Sequence, residues 1–349
     1  MKAANSPNSG TYHSLLDPAT RRFDAVGSLP MGLVGLGAFS PDGRQLALAL
    51  NSPDSPSDVY TLELADDPLG HGDLIRWTYS EVGGLDPSTF VVPELIHYPT
   101  FDDRDIPAFV YRPRGPGPHP VVIRIHGGPE SQSRPVFSSL FQGWIHELGI
   151  AVLDPNVRGS SGYGRTYVEL DNGMLREDAV RDIGALLDWI SAQPDLDQNR
   201  VMVFGGSYGG YMVLASLIHY SDRLRGGVNI VGISDFISFL ENTEAYRRDL
   251  RRAEYGDERD PEMRAFFERI SPLRNSDRIT APLFVIHGQN DPRVPVTEAE
   301  QIVEQVRAND RPVWYMNALN EGHGFARRDN QDLVRDLVVL FFQEHLVPE

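Results

Sequence analysis

From Pro93 to the C-terminus, short apolar runs alternate with segments of helical period, and that alternation limits the fold more than any other feature. The runs cover 108–111, 121–126, 150–154, 201–204, 228–231, 283–287 and 313–316. They are apolar nearly throughout, as strands covered on both faces must be. Between them, Val180, Ile183, Leu187 and Ile190 share one face of a helix over 177–192. Thr297 reads as the N-cap of a helix through Val306, with Glu300 as its capping-box partner. Leu333, Leu337, Leu340 and Phe341 give the last helix an apolar stripe. The expectation is one doubly wound α/β domain over residues 93–349, built on a mostly parallel sheet.

Residues 1–92 read differently. The first thirty are rich in Ser, Pro and Asn and show no periodicity, so they are expected to be irregular. A Pro41-Asp42-Gly43 turn then precedes alternating Leu46, Leu48 and Leu50, and a second run follows at 59–64. That is a hairpin pattern. It resembles one blade of a β-propeller of the kind found in tricorn-like and oligopeptidase proteins. Propellers close with four to eight blades of about 40–45 residues each, so roughly ninety residues hold two at most. A lone blade has unpaired strand edges. The segment is therefore expected to be partly disordered or to pair with another chain, as in a homo-oligomer.

Composition narrows the function classes. The 349 residues carry 41% hydrophobic and 23% charged side chains, ordinary values for a globular chain. No apolar stretch approaches the length of about 20 residues that spans a bilayer, so no membrane partner is expected. The net charge is −17, Lys2 is the only lysine, and no basic stripe appears, which argues against nucleic-acid binding. There is no cysteine, hence no disulfide, thiol nucleophile or thiolate metal site. The opening residues lack an apolar signal-peptide core, and a cytoplasmic location is expected.

The chemistry centres on Gly205-Gly206-Ser207-Tyr208-Gly209, a G-x-S-x-G sequence. The five-residue pattern is weak alone, but here an apolar strand leads in, and Met212, Leu214, Ala215, Leu217 and Ile218 continue as a helix. That context is the nucleophile elbow, which lifts a serine on a sharp strand-to-helix turn. A serine hydroxyl needs a base, and the base needs an orienting carboxylate, in the chain order Ser, Asp/Glu, His. Of the histidines after Ser207, His219 falls within a helix, His345 in the C-terminal tail, and His287 at a strand end with no suitable acid before it. His323 remains, in a glycine-flanked loop after the last strand. Asp291 follows the strand 283–287, on the rim where doubly wound sheets place their sites. An oxyanion hole needs backbone N–H groups, expected here from Tyr208 and from Gly128 of His126-Gly127-Gly128-Pro129. His126 has no second ligand at metal spacing and reads as a loop-shaping residue.

Taken in order, His126-Gly127-Gly128-Pro129, Asn156-Val157-Arg158-Gly159-Ser160-Ser161-Gly162-Tyr163-Gly164, the Ser207 elbow, the Asp291 loop and Gly322-His323-Gly324 resemble the catalytic α/β-hydrolase domain of the prolyl oligopeptidase family. The HGGP form is most similar to its acylaminoacyl-peptidase branch. Prolyl oligopeptidase and the dipeptidyl peptidases carry a tyrosine where His126 stands. The resemblance implies a substrate-binding role for Arg293 and a place in the first specificity pocket for Phe239. It carries over no exopeptidase specificity, because the propeller that supplies it elsewhere is mostly missing.

The expected activity is hydrolysis of short peptides through an acyl-enzyme, with Ser207, Asp291 and His323 as triad and no metal or cofactor. A carboxylesterase on the same fold is the alternative, since the same groups cleave activated esters. A third reading is an inactive truncated fragment.

Overall fold

The computed structural model describes residues 2–6, 10–27 and 29–347. The chain forms two compact units, Met1–Leu95 with Arg134–Gly143, and Ile96–Ser133 with Trp144–Glu349. This division differs from a single cut near residue 93. The segment 134–143 joins the first unit through side chains that no local pattern reveals. Phe137 N–H donates to Asn51 Oδ1 at 2.8 Å, and its ring packs 5.4 Å from Phe90. The buried Gln142 amide accepts from Val91 N–H at 3.0 Å and donates to Val91 O at 2.9 Å.

In the first unit, β1 (Lys2–Ser6), β2 (Gly10–Leu16) and β3 (Phe23–Ala25) form a three-stranded antiparallel sheet. The irregular stretch expected there is thus corrected. Main-chain pairing, such as Leu16 opposite Phe23, needs no apolar period, so the composition hid it. A second sheet has the order β4 (Leu33–Phe39), β5 (Gln45–Ser52), β6 (Ser55–Leu64), β7 (His71–Arg76), all antiparallel. It is a four-stranded meander. Leu46, Leu48 and Leu62 bury against Leu15 and Val26 in a small core of its own. The buried Asp58 is held by Arg76, by Thr78 Oγ1 at 2.8 Å and by Ser80 N–H at 2.9 Å.

The second unit is built on an eight-stranded sheet of β8 (Glu94–Pro99), β9 (Asp105–Tyr111), β10 (His119–Ile125), β11 (Ala151–Pro155), β12 (Leu196–Gly206), β13 (Gly226–Ile230), β14 (Leu283–Gly288) and β15 (Val313–Ala318). Its order is β15-β14-β13-β12-β10-β11-β9-β8. The pairs from β10 to β15 are parallel, and β9 runs antiparallel to β11. All seven expected strands are present. Every residue of β14 is buried, as a continuous apolar run between two helix layers requires. After β10 the chain moves to one side of the sheet for β11, then returns past β10 to lay β12 on the other. The carboxyl ends of β10 and β12 therefore flank a topological switch point, where doubly wound sheets leave a crevice.

Two helix details correct the sequence reading. The helix Thr297–Ala308 begins with Thr297 itself, after Val296, and has no side-chain cap. The carbonyls of Pro295 and Val296 take the N–H groups of Glu298, Ala299 and Glu300, which leaves the Thr297 hydroxyl nothing to cap. In the last helix, Arg328–His345, the buried stripe is Val338, Phe341 and Phe342, while Leu333 and Leu340 are exposed. Packing shifts the buried face away from Leu333 and Leu340, keeping Phe341 against Phe284 and Trp314 and adding Phe342, whose ring lies 5.0 Å from that of Trp144.

Candidate functional site

Ser207 directly follows β12 with φ 60° and ψ −119°, a left-handed backbone that a non-glycine residue adopts only when its surroundings compel it. The compulsion is visible on both sides. Ser207 N–H donates to Ile230 O of β13 at 2.8 Å, and Ser207 O accepts from Gly210 N–H at 2.9 Å to start the helix Tyr208–Tyr220. A Cβ on Gly205 would run into the Gly209 backbone, and a Cβ on Gly209 into the carbonyls of Ile125 and His126. The flanking glycines are therefore demanded by close approach of backbone to backbone. Ser207 itself is half-buried.

Pairing of Ile125 with Gly205 brings the loop after β10 beside the elbow. A Cβ on Gly127 would stand 2.9 Å from Gly206 O and 3.4 Å from Ser207 Cβ. Tyr208 is the first helical residue, so its N–H has no intrahelical acceptor. Gly128, at φ 139°, has no backbone acceptor for its own N–H among the described residues. His126 is buried among the loop's own atoms. Its Nδ1–H donates to Gly127 O at 2.8 Å, and its Nε2 lies 2.8 Å from Ser160 Oγ. Burial holds its pKa below the ordinary imidazole value, so it serves as a neutral brace. The Asn156–Gly164 stretch completes the brace, with Asn156 bonding Ser133 N–H at 2.7 Å and the Tyr163 hydroxyl at 2.9 Å.

At the far side, Ile286 of β14 lies beside Met316 of β15, and the loop after β15 folds back over the end of β14. Asn290 N–H donates to Glu321 O at 2.9 Å and Gln289 N–H to Ala318 O at 3.0 Å. That crossing carries His323 onto Asp291. The distance from His323 Nδ1 to Asp291 Oδ2 is 2.7 Å. A carboxylate accepts, so Nδ1 carries the proton and the Nε2 lone pair points away. The other oxygen, Asp291 Oδ1, accepts from Arg293 N–H at 2.8 Å and Val294 N–H at 3.0 Å. The Asp291 side chain is fully buried, while His323 keeps partial exposure. Among the described residues no hydrogen bond joins the Ser207 hydroxyl to His323.

The remaining expected residues fare unevenly. Arg293 meets the acid through its backbone, and its side chain is exposed. Phe239 does not line an open pocket. It is buried in the core with its ring edge-on to Tyr255, because the helix Phe236–Asn242 turns that face inward. Three groups escaped the sequence reading. His287, set aside as a base, is fully buried and donates Nε2–H to Val294 O at 2.9 Å, which pins the Asp291 loop from below. Burial keeps it neutral by lowering its pKa. Its position four residues before Asp291, at the end of an apolar strand, was the available signal. Glu298 is fully buried with its carboxylate on the N–H groups of Ser234 and Asp235, and burial pushes its pKa up to about 7. Asp171 and Arg176 form a fully buried ion pair that touches the Tyr208 hydroxyl. Among the described residues no cluster of His, Asp and Glu could hold a metal ion, and no helix is long and apolar enough to cross a membrane.

The profile of the prolyl oligopeptidase family matches residues 135–348. The chain belongs to this family. The chain is similar to dipeptidyl aminopeptidase BIII of Pseudoxanthomonas mexicana, 29% identical over 90% of this chain and 47% of that protein. A puromycin-hydrolyzing peptidase of Mycobacterium tuberculosis superposes with a TM-score of 0.85 at 24% identity, over 99% of this chain and 52% of that one. The acylaminoacyl peptidase of Pyrococcus horikoshii gives 0.81 at 19% identity, over 97% and 55%. These superpositions establish the α/β-hydrolase fold of the family's catalytic domain. The chain spans between about a third and half of the length of the curated relatives it matches first.

Proposed function

We propose that this chain is a serine peptidase that cleaves short peptides through an acyl-enzyme on Ser207. The observation that carries the reading is the arrangement of the strand ends. A half-buried serine stands on a strained elbow at the carboxyl end of β12, and a carboxylate–imidazole pair 2.7 Å apart stands at the carboxyl ends of β14 and β15 of the same sheet. In the reaction, Ser207 Oγ attacks the scissile carbonyl carbon while His323 Nε2 takes the hydroxyl proton. The imidazolium then faces Asp291, whose second oxygen is already held by two backbone amides. The carbonyl oxygen becomes an oxyanion and accepts from the N–H groups of Tyr208 and Gly128. His323 returns the proton to the departing amine, and water repeats the sequence to release the acid. Base-to-nucleophile hydrogen bonds in empty sites commonly tighten only when substrate arrives.

Substrate class is tested directly. The similar proteins are named as a dipeptidyl aminopeptidase, a puromycin-hydrolyzing peptidase and an acylaminoacyl peptidase, so the panel is free aminoacyl, free dipeptidyl and acyl-blocked aminoacyl anilides, with a p-nitrophenyl ester beside them. Turnover of at least one anilide, lost together with fluorophosphonate labelling in Ser207→Ala, is the expected result. Ester turnover with no anilide turnover makes the chain a carboxylesterase instead, and labelling retained by Ser207→Ala removes Ser207 as the nucleophile.

A further inference from the structure

A buried chain of alternating charge joins the two amides that the mechanism uses. At one end is Tyr208, whose fully buried ring carries a hydroxyl that donates to Asp171 Oδ2 at 3.1 Å. Asp171 is paired with Arg176, and neither side chain reaches solvent. The Arg176 guanidinium lies 5.3 Å from the centre of the Tyr208 ring and 4.7 Å from that of Tyr255, and it donates to Glu254 O at 3.1 Å. The Glu254 carboxylate in turn pairs with Arg251. At the other end Arg251 donates to Gly128 O at 3.2 Å, the carbonyl that the Tyr255 hydroxyl also approaches at 3.5 Å.

Gly128 is where such a clamp matters. It sits at φ 139° with no Cβ to limit its torsions, and the next residue is Pro129, which has no N–H to brace the peptide from that side. Rotation about the Gly128 Cα would swing its N–H away from the place where the oxyanion forms. A guanidinium on the carbonyl of the same residue restrains that rotation, and a charged donor makes the restraint stronger than a neutral one. Tyr208 is restrained in the same network from the opposite side. Two loops that lie far apart in sequence are thereby held at one spacing.

We propose that Arg251 is a positioning residue for the oxyanion hole, acting through Gly128 O, and that the Tyr208–Asp171–Arg176–Glu254–Arg251 chain fixes the separation of the two donor amides. This rests on the acyl-enzyme reading above. Removing an oxyanion donor outright costs about 10²–10³-fold in kcat, so loosening one should cost about 10- to 100-fold. Substrate binding does not use the oxyanion, so KM should move less than about threefold.

The variants are Arg251→Met, Arg251→Lys and Tyr208→Phe, with Ser207→Ala as the control for the underlying reading. Arg251 borders a cavity of about 260 Å³, which lets its side chain be shortened without voiding the core. The readouts are kcat and KM on the best anilide, and the affinity for the matching peptide aldehyde, whose adduct with Ser207 carries the oxyanion. Arg251→Met should lower kcat and aldehyde affinity by the same factor, Arg251→Lys should recover part of both, and Tyr208→Phe should lower both severalfold. A merely structural role would lower thermal stability and leave the ratio of aldehyde affinity to substrate affinity unchanged. Should Arg251→Met fail to fold, Arg251→Lys and Tyr208→Phe decide. Wild-type kcat and aldehyde affinity in the folded variants, with Ser207→Ala inactive, overturns the positioning role and leaves the acyl-enzyme reading standing. Activity surviving in Ser207→Ala overturns both.

Discussion

Replacing Asp291 by asparagine tests the acid and the base together, because the structure dictates which way the new amide must face. Asp291 Oδ1 accepts two backbone N–H groups, from Arg293 at 2.8 Å and Val294 at 3.0 Å, and Oδ2 faces His323 Nδ1 at 2.7 Å. The side chain is fully buried, so water cannot substitute for a lost partner. Asparagine can satisfy the two backbone donors only with its oxygen, which turns its NH₂ toward His323. Nδ1 must then accept, the proton moves to Nε2, and the nitrogen meant to receive the serine proton is occupied. Flipping the amide would restore the tautomer but would set NH₂ against two buried donors. Leaving those unsatisfied costs about 1–3 kcal/mol each, roughly 2–6 kcal/mol together, so the useful arrangement is populated at a few percent or less. In the serine-protease triad the same substitution costs about 10⁴-fold in kcat, about 5 kcal/mol of barrier. Asp291→Asn is therefore expected to lower kcat between about 30-fold and 10⁴-fold while the melting temperature stays near wild type. Steady-state kinetics on the best anilide, with the rate of fluorophosphonate labelling followed in parallel, measure it. A well-folded variant that keeps kcat within a few-fold of wild type refutes the tautomer argument.

Two further outcomes follow from the same structure. The Glu298 carboxyl, pushed up to about 7 by burial from the ordinary value of 4.5, binds its proton more tightly in the folded than in the unfolded chain. Folded protein therefore holds the extra proton between those values, and this group's contribution to stability declines as pH rises from about 4.5 through 7, by about 3 kcal/mol in all. Glu298→Gln keeps an oxygen for the Ser234 and Asp235 amides, so the variant should gain stability over wild type as denaturant titrations move from pH 5 to pH 8. An equal difference at both pH values rejects the burial argument. Gly209→Ala should abolish labelling of Ser207 or prevent folding, since its methyl group would overlap the carbonyls of Ile125 and His126. A soluble, fully labelled Gly209→Ala protein would show that the elbow has slack the packing denies.

The sequence by itself determined the alternating α/β architecture, the elbow and the order of the candidate reactive groups. Those are local matters: β14 is apolar along its whole length because both faces are covered, and Gly205 and Gly209 are glycines because backbone passes where a Cβ would stand. Strand-end placement was enough to single out Asp291 and His323, since strand ends can be read without knowing which strands are neighbours. Tertiary structure alone decided which of two adjacent faces of the last helix is buried, because period fixes a stripe only to within a residue and the Trp144 ring selects Phe342 over Leu340. It also turned Phe239 into the core, gave the Thr297 hydroxyl nothing to cap, and drew 134–143 to Asn51 and Val91. The Tyr208-to-Gly128 network lies wholly in this second class. Its members are scattered from Gly128 to Tyr255, and an arginine or a glutamate on a helix reads as a solvated residue until folding removes the solvent. Charge is visible in a sequence, but the desolvation that forces opposite charges to find each other belongs to the packed structure.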